Sequence, residues 1–173
     1  MLSVDRNSGG FTIIELMVTI TVLGVLVALA GPGMGDMIKN NRLAAQTNDL
    51  MSTLTYARAE AMRRGARMTV CPSDNGADCT GGSDWSVGLI VFVDSNRDSI
   101  ASPGEELVRT ADAPAGNNTI TATGVLASLQ FRGSGVANPP GSFKICDDRP
   151  DKGRTISVAS SGSLSLTKNV TCP

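Results

Sequence analysis

The run from Phe11 to Ala30 reads FTIIELMVTITVLGVLVALA and carries one charge, Glu15. At about 1.5 Å per residue, a helix of this length spans about 30 Å, the hydrocarbon thickness of a bilayer. The stretch exceeds the apolar part of a secretory signal peptide, and no small-x-small cleavage site follows it before the next polar segment. A membrane helix is the better reading. Beyond Pro32 the pattern becomes periodic. Leu43, Thr47, Leu50, Leu54, Ala57 and Ala61 recur every three or four residues and form one stripe on a helix. Lys39, Arg42, Arg58, Arg63 and Arg64 lie mostly off the stripe, and Gly65 is a natural stop. Residues 11 to about 64 are therefore expected as one long helix with a break or kink near Gly31-Pro32-Gly33. Its first half is apolar all round, and its second half needs a cover for its stripe. A coiled coil does not supply that cover, because the spacing stops at Ala61.

From Ala66 the period changes. Short runs with strand character cover Arg67–Cys71, Ser86–Asp94, Leu107–Thr110, Thr119–Ala122, Leu129–Arg132, Ser142–Cys146, Thr155–Ala159 and Ser163–Thr167. Clusters of Gly, Asn, Asp, Ser and Pro separate them, among them Ser102-Pro103-Gly104 and Asn138-Pro139-Pro140-Gly141. The simplest architecture is α+β, with an antiparallel sheet wrapped on the striped half of the helix so that both apolar faces are buried.

Composition narrows the function. The chain has 173 residues, 15 Lys+Arg against 16 Asp+Glu, and no histidine. That excludes Ser-His, Cys-His and His-metal chemistry, and no other feature suggests an enzyme. Six aromatic residues (4 Phe, 1 Trp, 1 Tyr) make a poor stacking platform for bases. Charge is unevenly spread: residues 34–67 carry net +3, residues 71–120 net −6, and residues 121–173 net +3. Solvated faces account for most such patterns. Complementarity between stacked subunits is the functional reading.

Glu15 stands out, since a carboxylate this far into a membrane span is costly and implies a partner. The plainer alternative is an interfacial residue in a helix that begins at Ile13 or later. The surrounding residues, Gly10-Phe11-Thr12-Ile13-Ile14-Glu15-Leu16 followed by an uninterrupted apolar run, resemble the prepilin processing site of type IV pilins and type II secretion pseudopilins. The resemblance implies cleavage by a prepilin peptidase between Gly10 and Phe11, N-methylation of Phe11, and an assembly role for Glu15. The leader departs from the usual pattern, because Asp5 offsets Arg6. Further on, Ala57-Arg58-x-Glu60-Ala61, Trp85-x-x-Gly88, Phe92-x-Asp94 and Gly104-Glu105 resemble the GspH/FimT (FimU-like) branch of minor pilins and pseudopilins.

That likeness implies the type IV pilin fold with four segments: a leader at 1–10, the transmembrane half of the helix at 11–30, its amphipathic half at 31–65, and a β-rich domain at 66–173. The chain would sit in the inner membrane as a single-pass protein with the β domain in the periplasm, and then enter an extracellular pilus. The implied function is assembly, in the priming or tip complex of a type IV pilus, supporting adhesion or twitching motility. The implied partners are other minor and major pilins. The alternatives are a minor pseudopilin of type II secretion and a DNA-binding minor pilin for natural transformation.

Four cysteines in a domain outside the cytoplasm are expected as disulfides. Of the three pairings, Cys71–Cys79 with Cys146–Cys172 is favoured, as a local clamp and a tether for the C-terminal tail. The spacings do not suit zinc. Asp94, Asn96, Asp98 and Glu105 fall at calcium-loop positions, although Ser99 stands where such loops have glycine and strands replace the flanking helices. A polar hairpin loop explains the same residues, and no other cofactor is indicated. For DNA, Gly153-Arg154 matches a glycine-arginine motif of DNA-binding relatives, but Ile156 occupies the place of a second arginine. Lys144, Arg149, Lys152, Arg154 and Lys168 are the candidate phosphate contacts, with Asp147, Asp148 and Asp151 interspersed among them.

Overall fold

The computed structural model describes residues 10–123 and 127–172, with the side chains of residues 29–33 outside the description. The leader with Asp5 and Arg6 lies outside the described residues up to Ser8-Gly9. The chain divides into two compact units, residues 1–40 and 41–173.

Helix α1 runs Ile13–Arg64. Thr12 sets its start: the Glu15 backbone N–H donates to Thr12 Oγ1 at 3.2 Å, and the Leu16 N–H donates to the Thr12 carbonyl at 3.1 Å. Gly65 sets its end with φ 63°, a left-handed position that glycine takes without a Cβ clash. The expected break at Gly31-Pro32-Gly33 is absent from the helix assignment, which is continuous. Pro32 withholds only one backbone donor, and helical hydrogen bonding resumes beyond it. In the first unit the described apolar side chains are exposed on every side of the helix, from Ile13 at 81% to Val27 at 64%.

In the second unit the stripe is covered. Leu43, Leu50, Leu54, Ala57 and Ala61 are at most 3% exposed, and Thr47 is fully buried. The cover comprises β1 (Met68–Pro72), β2 (Gly88–Val93), β3 (Leu107–Asp112), β4 (Thr119–Thr123), β5 (Leu129–Phe131), β6 (Ala137–Asn138), β7 (Gly141–Cys146), β8 (Gly153–Val158) and β9 (Leu164–Val170). The single sheet expected from the pattern is replaced by two antiparallel sheets, ordered β3-β2-β1-β5-β6 and β4-β7-β8-β9. The division arises because β4 pairs with β7, in register Thr119↔Cys146 through Thr123↔Ser142, and not with β5 beside it in sequence. Trp85 joins the two layers. Its backbone N–H donates to the Ile120 carbonyl at 2.8 Å, and its ring meets Phe143 edge-on at 4.7 Å. Trp85 and Phe143 belong to the core that also holds Leu54, Val91, Phe131 and Ile156.

Strands β1 and β2 are buried on both faces. Met68, Val70, Leu89 and Val91 belong to the core that the helix shares. On the other face, Cys71, Ile90 and Phe92 form a second cluster, packed by Cys79 and Ala101 from the loops that follow β1 and β2. Cys71–Cys79 fastens the first of these loops with Cα atoms 5.6 Å apart, and Cys146–Cys172 ties the tail to the end of β7 with Cα atoms 5.8 Å apart. Gly88 explains the Trp85-x-x-Gly88 step. Its φ is 111°, and a Cβ there would lie 2.8 Å from the Ser73 carbonyl oxygen and 2.9 Å from that of Ala111.

The Ala57-Arg58-x-Glu60-Ala61 run has a physical reading as well. The two alanines let the sheets approach the helix. Arg58 Nε donates to the Gly135 carbonyl and its Nη2 to the Ser161 carbonyl, both at 3.0 Å. Glu60 accepts from Arg63 Nε at 2.8 Å and also from Arg64, whose Nη1 reaches Glu106 Oε2 at 2.6 Å. These guanidinium hydrogen bonds hold the Glu60 carboxyl down from its ordinary 4.5 to about 2. A carboxylate depressed in this way stabilises the fold above about pH 4.5 and loses that contribution as pH falls toward 2. Between pH 5 and 2 the thermal midpoint of the wild type is therefore expected to fall more steeply than that of Glu60→Gln. Parallel curves would show the network to be neutral.

Candidate functional site

Gly10 is exposed and non-helical, immediately before Phe11, which is 84% exposed. The bond expected to be cut thus lies in accessible, non-helical chain, two residues ahead of α1. Glu15 stands in the first helical turn, where a carboxylate meets the positive end of the helix dipole. Thr12 is the helix cap that the sequence reading missed. Thr12-x-x-Glu15 has capping-box spacing, and that signal was available in the sequence. Among the described residues no helix stretch is long and apolar enough to cross a membrane, and the described side chains of the apolar run stop at Ala28.

The loop with calcium-type spacing closes on itself. Asp94 is buried and accepts from Thr69 Oγ1 at 2.8 Å. Asn96 Nδ2 donates to Asp98 Oδ2 at 2.8 Å, and Asp98 Oδ1 accepts the Ile100 N–H at 2.8 Å. Glu105 accepts the N–H groups of Ser95 at 2.8 Å and Ser102 at 3.1 Å. Among the described residues no group of three or more Asp, Glu, Cys or His side chains is placed to hold a metal ion.

The basic residues do not form one patch. Register pairs Arg154 with Ile145 and Lys168, on the face of β8 that carries Ile156, whereas Lys144 pairs with Thr155 and Thr121 on the opposite face. Lys144 Nζ donates to the Thr171 carbonyl at 3.3 Å, and Arg149 is paired with Asp147 at 2.5 Å. Lys152 is exposed in the turn before β8.

Comparison with known proteins agrees with the geometry. Residues 46–162 match the family described as type II transport protein GspH, and residues 5–31 match the prokaryotic N-terminal methylation motif. The pilin-like protein PilA1 of Thermus thermophilus is 35% identical over 103 residues, which cover 58% of each chain. The fold is similar to that of the type IV minor pilin FimU of Pseudomonas aeruginosa, with TM-score 0.63, 23% identity, and coverage of 79% of this chain and 96% of that one. It is also similar to the minor pseudopilin EpsH of the Vibrio cholerae type 2 secretion system, with TM-score 0.52, 12% identity, and coverage of 73% and 97%. An accessible Gly10-Phe11 bond, a capped apolar helix and a disulfide-clamped two-sheet domain thus stand together in one chain, which belongs to the GspH family and carries the prokaryotic N-terminal methylation motif.

Proposed function

We propose that the chain is a minor pilin of a type IV pilus. Residues 11–30 anchor it in the inner membrane with the β domain in the periplasm. A prepilin peptidase cuts between Gly10 and Phe11, the new Phe11 amine is N-methylated, and the subunit enters the priming or tip complex. Its work is assembly with other minor and major pilins, not catalysis. The observation that carries this reading is the exposed, non-helical Gly10-Phe11 step set directly before a capped helix bearing Glu15.

Glu15 gives the reading its mechanism. Cleavage creates a cation at Phe11, and in a stack of staggered helices the amine of one subunit can meet Glu15 of the next. That pairing favours one axial register. Glu15→Ala keeps the Thr12 cap, because the bond uses the backbone N–H of residue 15. Insertion is expected to be unchanged while the amount in sheared pili falls about tenfold, the equivalent of ~1.4 kcal/mol. Immunoblots of membrane and pilus fractions measure both, and wild-type levels in pili would remove the register role.

A minor pseudopilin of type II secretion is the second reading, supported by the GspH match over residues 46–162. Deletion of the gene distinguishes the two, with loss of pili expected on the first reading and loss of secreted protein on the second. A DNA-receptor role draws less support, since the basic residues lie on both faces of β8 and its neighbours.

A further inference from the structure

Within the second unit, a polar cavity of about 530 Å³ opens beside the C-terminal end of α1. Arg67, Arg97, Arg132, Asp94 and Ser95 line it. Asp94 is 2% exposed, and its two oxygens differ. Oδ2 accepts from Thr69 Oγ1 at 2.8 Å and from Gln130 Nε2 at 3.5 Å, whereas Oδ1 is buried with no hydrogen-bond donor. Arg67 Nη1 is engaged by Gln130 Oε1 at 2.9 Å. Arg97 and Arg132 are exposed, and among the described residues neither guanidinium has a hydrogen-bonded or ion-paired partner. Arg97 is held at φ 69°, a conformation a long side chain rarely takes.

Three guanidiniums against one carboxylate leave the cavity positive, which disfavours a metal ion. An acidic side chain presents a carboxylate that matches the exposed guanidinium forks of Arg97 and Arg132. We propose that this cavity docks an acidic segment of a neighbouring pilin domain, and this rests on the reading of the chain as an assembling subunit. The charge layout fits a head-to-tail contact. The cavity lies at the Asp94 end of β2, while exposed Asp84 and Asp112 lie toward its other end, where Gly88 pairs with Asp112. A contact between unlike ends of successive domains propagates a filament without closing into a dimer.

The test uses the full chain in neutral detergent at low salt, with fluorescently labelled acetyl-tetraglutamate amide as the probe and anisotropy as the readout. Saturable binding is expected, with none for the tetraglutamine peptide. The Arg97→Gln/Arg132→Gln variant, which alters two exposed side chains and should unfold at the wild-type temperature, is expected to bind about tenfold more weakly. Inorganic phosphate and duplex DNA should displace the probe poorly. Absence of saturable binding, equal binding by the double variant, or displacement by phosphate or DNA as effective as by unlabelled peptide would each overturn the proposal. Cleavage at Gly10 is scored on the same preparations. A correctly cleaved chain that fails to bind overturns the docking site alone, whereas an uncleaved chain overturns the pilin reading beneath it.

Discussion

Replacing Gly10 by valine is expected to leave the chain uncut, so that intact-mass measurement of membrane-extracted protein finds all 173 residues and not the chain that begins at Phe11. The structure makes this a clean experiment. A Cβ built on Gly10 meets nothing within 4 Å, and the residue lies outside α1, so the substitution leaves the fold alone. The effect then arises in the peptidase site, where a branched Cβ replaces bare backbone at the scissile bond. On the proposed reading an uncut chain does not enter pili, so Gly10→Val should also be missing from the pilus fraction. A Gly10→Val chain processed at the same bond would show that the peptidase does not read this position.

The largest stability effect is expected at Phe143. Its side chain is fully buried, it stacks edge-on against Trp85 at 4.7 Å, and its neighbours in register are Ala122 and Ile156. Phe143→Ala opens a cavity where the two sheets and the helix share one core, and a loss of about 3–5 kcal/mol follows. Against a typical total of about 5–15 kcal/mol, that is enough to leave part of the population unfolded. Urea titration of the full chain measures it. Thr155→Ala, on the solvent face of β8, is the control and should stay within about 0.5 kcal/mol. A loss below about 1.5 kcal/mol for Phe143→Ala would mean that the two sheets do not depend on each other for packing.

The helix and most strands were legible in the sequence because local rules produce them. The stripe from Leu43 to Ala61 is a period of 3.6 made visible, and every member of it is buried. β6 escaped notice because it has two residues and sits against Pro139-Pro140. Pairing was the harder problem. Alternation tells which side chains of β4 point inward, and says nothing of whether β5 or β7 lies alongside. The same limit dissolved the basic patch: Lys144 and Arg154 read as companions along the chain, and register puts them on opposite faces. Asp94 shows a different limit. Its spacing to Asn96, Asp98 and Glu105 fits a cation loop and a polar hairpin loop alike, and its inward contact with Thr69 depends on two strands meeting, which spacing does not reveal.

Arg58 has a mechanical consequence. It reaches the Gly135 carbonyl in the turn between β5 and β6 and the Ser161 carbonyl in the turn between β8 and β9, so one side chain of α1 grips both sheets. Tension drawn along the helix is therefore shared by the two sheets in parallel. Arg58→Ala removes both holds at once, so the force needed to part this helix from the sheets should fall.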